Sequence, residues 1–334
     1  MTFDDLPRVA LAHEPTALEA LGGLHQHLGG PRVWVKRDDC TGLAGGGNKT
    51  RKLEYLIAEA EAEGADAVVT FGALQSNHAR QTAAACARRG LACDLILAPA
   101  VLREVDGYLL GGNVLLDRLL GARVHRLQSG QAPAEVLQTV LAEHAAAGRR
   151  GYVIPAGGSN ATGALGYVRA ARELATQCRE RGIYPAAVIH ATSTGGTQAG
   201  LLAGFRLEGL STRVIGINVY NADSAALATQ IEALTAEVLS RIAPGMAPAA
   251  DGVEVVDGFL GEGYGIPSAA MVEAVSLIAS REGLLLDPVY SGKAMAGLLA
   301  MLERRAFVED DDLIFLHTGG TPALSVYASA FPQD

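Results

Sequence analysis

Cysteine is scarce in this chain of 334 residues, and its spacing excludes two common kinds of site. The four cysteines, Cys40, Cys86, Cys93 and Cys178, include no CxxC pair. A zinc ribbon or a redox dithiol needs such a pair, so neither is predicted, and we expect no metal site. Sparse and irregularly placed cysteines are typical of reduced thiols, which indicates a cytoplasmic protein.

Long apolar runs and an excess of basic residues are also missing. The apolar runs reach only strand length, far short of the ~20 residues that a membrane-spanning helix needs. The N-terminal sequence MTFDDLPRVA has no basic segment followed by an apolar core, so we expect no signal peptide. The formal net charge is −9, whereas nucleic acids and anionic membranes bind basic surfaces. We therefore expect a soluble cytoplasmic protein that binds neither of them.

Strand-like and helix-like segments alternate along almost the whole chain, and 49% of the residues are hydrophobic. Predicted strands include RVWVK at 32–36, AVVTF at 67–71 and AAVIHA at 186–191, and predicted helices include 49–64 and 76–89. The strands are apolar on both faces, which is typical of parallel sheets that helices cover on both sides. The sequence therefore predicts an α/β fold.

A glycine-rich loop between the first of these strands and the first of these helices has the richest chemistry. It reads GLAGGGNKTRK from Gly42 to Lys52. Gly42 and Gly47 have the spacing of a phosphate-binding P-loop, but Asn48 stands where that motif requires lysine, and Lys49 comes one residue late. Alternatively, Lys49 forms a Schiff base, since such a lysine needs a glycine-lined loop that leaves room for a cofactor. A third interpretation is an exposed lysine at the start of a helix.

Three further loops directly follow predicted strands, which is where open parallel sheets bind ligands. TSTGGTQAG at 192–200 opens a helix, so its N–H groups and hydroxyls predict an anion site. Its glycines are adjacent and do not match the dinucleotide-binding pattern GxGxxG. QSNH at 75–78 and HTGGT at 317–321 follow two more strands. Each loop could also be a helix cap or a tight turn without a ligand.

Together these segments resemble the β-family, or fold type II, of pyridoxal-phosphate (PLP) enzymes. More narrowly, they resemble the group of 1-aminocyclopropane-1-carboxylate deaminase, D-cysteine desulfhydrase and L-cysteate sulfo-lyase. The resemblance covers nearly the whole chain in the same order. It is carried by KRDDCTGLAGGGNKTRKLEYL from Lys36, GALQSNHARQTAA from Gly72, GGSNATGALGY from Gly157, GEGYGIP from Gly261, LLLDPVYSGKAMAGL from Leu284 and HTGGTPAL from His317.

The resemblance implies that the chain binds PLP as its cofactor. Lys49 would hold PLP as a Schiff base and would be the first catalytic residue. Asn77 would donate a hydrogen bond to the phenolic oxygen of the PLP ring, and Thr318 would face its pyridine nitrogen. The phosphate would be held by the turn formed by Thr194, Gly195, Gly196 and Thr197.

The resemblance also implies which residues meet a small amino-acid substrate. Ser76 and His78 would contact the substrate carboxylate or its surroundings, beside Asn77. Tyr264 and Tyr290 would lie near the substrate's side chain. Ser76 and both tyrosines would join Lys49 as catalytic residues.

The implied architecture has the two lobes of tryptophan synthase β, with parallel twisted sheets covered by helices and the cofactor in the cleft. The large lobe would be discontinuous and comprise residues 1–49 and 161–334, and the small lobe would comprise residues 50–160. Related enzymes form homodimers, so we expect a homodimer.

The implied activity is an α,β-elimination that expels a sulfur group from a small amino acid and yields pyruvate and ammonia. Lys49, displaced from PLP by the substrate amine, or a tyrosine would remove the Cα proton as general base. In the cyclopropane deaminases glutamate follows the sequence DPVY, whereas Ser291 follows Tyr290 here. Sulfur elimination is therefore favoured over cyclopropane opening.

We expect a D-cysteine desulfhydrase, which releases sulfide. The first alternative is L-cysteate sulfo-lyase, for which Thr41, Ser291 and Thr321 are hydroxyls that could surround the oxygens of sulfite. The second is 1-aminocyclopropane-1-carboxylate deaminase. A non-enzymatic alternative is a sensor that binds PLP or an amino acid without turnover.

Overall fold

The computed structural model describes residues 3–101, 106–250 and 252–332. The strands, in chain order, are β1 Leu18–Ala20, β2 Arg32–Lys36, β3 Ala67–Ala73, β4 Ala92–Ala98, β5 Arg123–Arg126, β6 Gly151–Ile154, β7 Pro185–Thr192, β8 Arg213–Asn218, β9 Glu254–Val256 and β10 Asp312–Leu316. The helices are α1 Gly22–Leu28, α2 Lys49–Ala62, α3 Asn77–Arg89, α4 Asp106–Leu110, α5 Gly112–Leu119, α6 Pro133–Ala146, α7 Ala161–Arg181, α8 Gly196–Leu207, α9 Ser224–Ile242, α10 Ala269–Glu282 and α11 Ser291–Glu303. Among these described helices, none combines the length and the apolar character needed to cross a bilayer.

Two sheets organise these elements. The larger sheet has the strand order β1-β2-β10-β7-β8-β9, and β1 is its one antiparallel member. The smaller sheet has the order β5-β4-β3-β6 and is parallel throughout. In the central strand β10, Leu313 and Phe315 pack into one hydrophobic core, and Ile314 and Leu316 pack into another on the opposite face. The prediction of an α/β fold with parallel sheets covered on both sides is confirmed.

The predicted elements lie where the sequence pattern places them. RVWVK forms β2, AVVTF lies within β3, and AAVIHA lies within β7. The helix predicted for 76–89 is α3, whose N-cap Ser76 accepts a hydrogen bond from the backbone N–H of Ala79 at 3.1 Å. Gly90 ends this helix in the left-handed conformation, with φ of 73°.

The smaller sheet takes all its strands from residues 67–154, which lie inside the segment 50–160 expected to form the small lobe. Its hydrophobic core also includes Val289, Val326 and Tyr327 from the C-terminal part of the chain. The ring of Tyr327 meets that of Tyr108 edge-on, with centroids 5.8 Å apart. The C-terminal segment thus ties the two sheets together, and the division into lobes stays a prediction.

Glycine allows helix α7 to pack directly against the backbone of α2. A Cβ atom at Gly166 would overlap the carbonyl group of Arg51 and lie 2.7 Å from the backbone nitrogen of Lys52. Gly200 in α8 likewise has no room for a Cβ, because the carbonyl oxygen of Ala164 occupies that space. These contacts hold the first turns of α2 and α8 close together, and both turns line the cavity described below.

We expect Gly166→Ala to lower the free energy of unfolding by about 1–3 kcal/mol, because the added methyl group would push α2 away from α7. Alanine favours a helix more than glycine does, so this loss would run against helix propensity. The control is Gly22→Ala in α1, where no described atom lies within 4 Å of the new Cβ. Urea unfolding of both variants measures the difference, and equal midpoints would contradict the packing argument.

Candidate active site

The carboxyl ends of strands from both sheets face a cavity of about 260 Å³. Strand β3 leads into the loop before α3, β7 leads into the turn before α8, and β10 leads into the HTGGT loop. All the residues predicted as site residues line this cavity: Lys49, Ser76, Asn77, His78, Thr194, Gly195, Gly196, Thr197, Tyr264, Tyr290 and Thr318. The structure brings them together, and their individual roles stay predictions.

Thr41 fixes the shape of the glycine-rich loop before Lys49. Its hydroxyl accepts a hydrogen bond from the N–H of Gly47 at 2.8 Å and donates to the carbonyl of Gly47 at 2.9 Å. Gly46 and Gly47 have φ values of 72° and 129°, which side chains rarely adopt. A Cβ at Gly46 would also overlap the carbonyl of Asp39. The loop therefore requires glycine at these positions to present Lys49.

The amine of Lys49 is suited to act as a nucleophile. Its Nζ donates to Oδ1 of Asn48 at 3.1 Å. Burial lowers the pKa of Lys49 to about 8, and the negative charge of Asp287 acts in the opposite direction. The neutral amine, which attack on a carbonyl carbon requires, is therefore more abundant at neutral pH than it is for an exposed lysine.

A second amine, that of Lys52, lies in the same cavity, although the sequence motifs do not assign it to the site. Lys52 follows Lys49 by three residues and so lies on the same face of α2. Its Nζ donates to the carbonyl of Gly157 at 3.1 Å and to the hydroxyl of Ser159 at 3.2 Å. Burial, and then the charge of Lys49, lower the pKa of Lys52 well below its ordinary value. An anion bound beside Lys52 would restore its charge.

The turn before α8 has the donors that an anion site needs. Gly195 caps the helix in the left-handed conformation, with φ of 79°, and the first N–H groups of a helix have no acceptor within it. The hydroxyls of Thr194 and Ser159 are 2.7 Å apart. A Cβ at Gly196 would lie 2.9 Å from Nζ of Lys52, so glycine keeps the wall open here. Helix N–H groups, hydroxyls and an amine around one recess are the donors that phosphate groups bind.

The side chain of Asn77 has a defined orientation. Nδ2 of Asn113 donates to Oδ1 of Asn77 at 2.9 Å. Because the oxygen of Asn77 is used in this bond, its Nδ2 is the group that can donate into the cavity. The neighbouring Ser76 accepts from the N–H of Ala79, so its hydroxyl proton can be donated to a ligand.

The ring of His78 is not arranged to donate to a substrate carboxylate. The hydroxyl of Thr70 donates its proton to the carbonyl of Ile154 at 2.8 Å, so it accepts from Nε2 of His78 at 2.8 Å. Nδ1 is then an unprotonated acceptor, buried and without a hydrogen-bond partner in the described part of the chain. Burial, and then the charges of Lys49 and Lys52, lower the pKa of His78 well below its ordinary value. This geometry disfavours the expected carboxylate contact of the ring and leaves the backbone N–H of His78 for that purpose.

The two tyrosines predicted as site residues form a hydrogen-bonded pair in the cavity wall. The hydroxyls of Tyr264 and Tyr290 are 2.5 Å apart, and their ring centroids are 5.9 Å apart. Burial raises the pKa of both above the ordinary tyrosine value, so both stay protonated. A third ring, that of Tyr220, meets Tyr264 edge-on at 5.0 Å and is half-exposed. The sequence motifs do not identify Tyr220 as a site residue. Its position just after β8, at the same edge of the sheet as the other site loops, could have indicated that it lies in the site.

The hydroxyls of Thr41, Ser291 and Thr321 do not line the cavity, contrary to the expectation that they could hold sulfite. Ser291 donates to the carboxylate of Asp287 at 2.7 Å and accepts from the backbone N–H of Asp287 at 2.8 Å. Thr321 donates to a backbone carbonyl at 3.3 Å, and Thr41 is engaged with the glycine loop. All three hydroxyls are therefore hydrogen-bonded to other groups of the protein.

Residues 9–319 match the family described as pyridoxal-phosphate dependent enzyme. The chain is 43% identical over 324 residues to D-cysteine desulfhydrase of Salmonella schwarzengrund, and the match covers 96% of each chain. The same identity, over 321 residues, relates it to D-cysteine desulfhydrase of Salmonella newport, again with 96% of each chain covered. The resemblance found in the motifs is thereby confirmed, and the P-loop interpretation is not supported.

Solved structures give the same assignment. The crystal structure of an ACC deaminase homologue matches with a TM-score of 0.87 and 33% identity, and the match covers 98% of this chain and 96% of that one. Threonine deaminase isoform 2 of Solanum lycopersicum has a TM-score of 0.66 at 17% identity, with 96% of this chain and 83% of that chain covered, and so shows the fold alone. The chain therefore belongs to the pyridoxal-phosphate-dependent enzymes of fold type II.

Proposed function

We propose that this enzyme is a D-cysteine desulfhydrase, which expels sulfide from D-cysteine and yields pyruvate and ammonia. The observation that carries the proposal is the pair of protonated tyrosine hydroxyls, Tyr264 and Tyr290, in the wall of the cavity that contains the Lys49 amine. Such a cavity offers a base for the Cα proton and an acid for the departing sulfur. The name shared by relatives that are 43% identical supports the same substrate.

The donors around the cavity fit PLP. Lys49 would bind its aldehyde carbon, and the turn from Thr194 to Thr197 would bind its phosphate together with Lys52. Asn77 would donate to the phenolic oxygen, and Thr318 would face the pyridine nitrogen. Bound PLP supplies an electron sink for the charge released when the Cα proton leaves.

The N-terminal turn of α3 is the proposed site of the substrate carboxylate. The hydroxyl of Ser76 and the backbone N–H groups of Asn77 and His78 lie at the positive end of the helix. A carboxylate bound there would place the Cα proton within reach of Lys49, which we propose as the general base. The ring of His78 would support this turn through its hydrogen bond to Thr70.

Tyr290 is the proposed acid for the leaving sulfur. Burial raises the pKa of both tyrosines, so each keeps a proton that it can give. Tyr290 lies in the turn that Asp287 holds, and its hydroxyl proton would pass to sulfur as the carbon–sulfur bond breaks. The electron pair of that bond leaves with sulfur, so the products are a neutral or singly charged sulfide and the unsaturated amino acid that hydrolyses to pyruvate and ammonia.

The surroundings of Thr318 favour elimination. The hydroxyl of Thr318, if it faced the pyridine nitrogen of bound PLP, would not protonate that nitrogen as a carboxylic acid would, and this would favour prompt loss of the sulfur group. The buried carboxylate nearby, that of Asp287, accepts hydrogen bonds from the backbone N–H groups of Val289, Tyr290 and Ser291 and from the Ser291 hydroxyl. It is therefore committed to holding the turn that carries Tyr290.

We also propose that the enzyme is a cytoplasmic homodimer with a small lobe at residues 50–160. All four cysteines are free thiols, which supports a reducing compartment. The family resemblance supports the dimer. The smaller sheet at residues 67–154 supports the lobe.

Pyruvate release from D-cysteine, L-cysteine, L-cysteate, D-serine and 1-aminocyclopropane-1-carboxylate tests the proposal. We expect the highest kcat/KM with D-cysteine, because the tyrosine pair can protonate a thiolate and the three hydroxyls considered for sulfite lie outside the cavity wall. Lys49→Ala is the control for contaminating activity. Faster turnover of L-cysteate or of the cyclopropane substrate would overturn the proposed substrate.

Borohydride reduction of the PLP-loaded enzyme, followed by peptide mass analysis, identifies the lysine that binds the cofactor. We expect the label on Lys49, whose pKa of about 8 and position at the loop suit the bond. The chain has three other lysines, Lys36, Lys52 and Lys293, which serve as internal controls. Lys52 is the rival amine in the same cavity, so a label on Lys52 would refute the assignment of Lys49.

Tyr290→Phe should lower kcat for D-cysteine by about 10²- to 10⁴-fold, the usual contribution of a general acid. With β-chloro-D-alanine the loss should be far smaller, because chloride leaves without a proton. Tyr184→Phe, at a side chain that is 86% exposed, is the matched control and should leave both rates unchanged. Equal losses with both substrates would show that Tyr290 does not act as an acid for sulfur.

A further inference from the structure

We infer that Asn113 is a positioning residue that orients the amide of Asn77 toward the cofactor. The inference rests on the role proposed above for Asn77, donation to the phenolic oxygen of PLP. Asn113 lies in α5, outside the motifs of the site, and its side chain is fully buried. It does not line the cavity, so it would act only through Asn77.

Each polar group of Asn113 has a defined partner. Its backbone N–H donates to Oε1 of Gln75 at 2.8 Å. Its Nδ2 donates to the carbonyl of Gln75 at 2.9 Å and to Oδ1 of Asn77 at 2.9 Å. Its Oδ1 accepts from Nη1 of Arg80 at 3.3 Å. A primary amide has two N–H donors, and both are used here on acceptors.

Arg80 prevents the reverse orientation of this chain of amides. A guanidinium group has donors and no acceptor, so only the oxygen of Asn113 can face it. The nitrogen of Asn113 must then face Asn77, and the oxygen of Asn77 must face Asn113. The remaining group, Nδ2 of Asn77, is left for the cavity. Burial lowers the pKa of Arg80 to about 10, with the charge of Asp117 acting in the opposite direction, so Arg80 keeps its charge at neutral pH.

The same guanidinium also reaches the loop that presents Lys49. Nη2 of Arg80 donates to the carbonyl of Gly46 at 2.5 Å. The orientation of Asn77 and the position of the glycine loop are therefore set by one buried side chain, with Asn113 as the link to Asn77. Without Asn113, the amide of Asn77 could rotate and present its oxygen to the phenolic oxygen, and two acceptors would then face each other.

Asn113→Asp tests this inference because it changes hydrogen-bonding capacity at nearly constant shape. A carboxylate has only acceptors, so Asn77 would turn its Nδ2 toward position 113 and its oxygen toward the cofactor. Arg80 would gain an ion pair, whereas the carbonyl of Gln75 would lose its donor from position 113. The measurement is a pH titration of the PLP-loaded enzyme. The visible absorbance of the bound cofactor changes as the cofactor loses a proton, and the midpoint of that change, here called the absorbance pKa, is compared between variants. A donor to the phenolic oxygen favours its anionic form, so we expect the pKa to rise by about one unit or more.

Asn77→Ala and the double variant separate the possible causes. If Asn113 acts through Asn77, Asn77→Ala should raise the absorbance pKa by itself, and Asn113→Asp should add nothing in that background. An additive shift would show that the new carboxylate acts through its own field, and it would overturn the inference. If Asn77→Ala raises the absorbance pKa but Asn113→Asp leaves it at the wild-type value, the positioning role of Asn113 is wrong and the proposed role of Asn77 is retained. If Asn77→Ala leaves the absorbance pKa unchanged, both the proposed role of Asn77 and the positioning role of Asn113 are wrong.

Asn113→Ala is the second variant, in case the aspartate variant does not fold. It removes donor and acceptor together, so Asn77 loses its fixed orientation and a smaller rise in the same direction is expected. Thermal unfolding of the cofactor-free protein reports whether each variant folds. An unshifted absorbance pKa in folded Asn113→Ala would contradict the positioning role.

Discussion

The site depends on three hydrogen bonds made by Asn48. Its backbone N–H donates to the carbonyl of Thr318 at 3.0 Å, its Nδ2 donates to the hydroxyl of Thr197 at 3.1 Å, and its Oδ1 accepts from Nζ of Lys49 at 3.1 Å. The glycine-rich loop, the anion turn and the HTGGT loop therefore meet at one residue. Asn48 is also the residue that departs from the P-loop motif. A lysine at this position would remove the acceptor for Lys49 and place a second charge against Thr197.

Lysine is rare in this chain, and most of its lysines are buried. The chain has four lysines among 27 basic residues, and Lys36, Lys52 and Lys293 are almost fully buried. Lys36 pairs with Glu173, and Lys293 donates to the carbonyls of Leu260 and Gly263, so these two amines hold structure. Arginine cannot lose its proton in a protein, whereas a buried lysine amine can become neutral. Positive charge on the surface is thus supplied mainly by arginine, and two of the four lysine amines, those of Lys49 and Lys52, lie in the cavity.

Local sequence patterns predicted most of the fold and the composition of the cavity, because parallel strands end at a common edge and their following loops must meet there. The patterns could not predict contacts that join distant segments. The tautomer of His78 depends on Thr70 and on the carbonyl of Ile154, and the orientation of Asn77 depends on Asn113. Local patterns do not define the lobes for the same reason, since Tyr327, from the end of the chain, packs into the core of the smaller sheet. A polar residue that works through another residue has no motif of its own.

One physical effect prepares both the base and the acid of the proposed reaction. Removal from water disfavours charge, so burial lowers the pKa of Lys49 to about 8 and raises the pKa values of Tyr264 and Tyr290. The amine becomes available as a base, and the hydroxyls keep the protons that an acid must give. Burial alone would make both tyrosines poor acids. The hydroxyl of Tyr264, 2.5 Å from that of Tyr290, can donate a hydrogen bond to the Tyr290 oxygen as the proton of Tyr290 leaves, and this bond would stabilise the anion that forms.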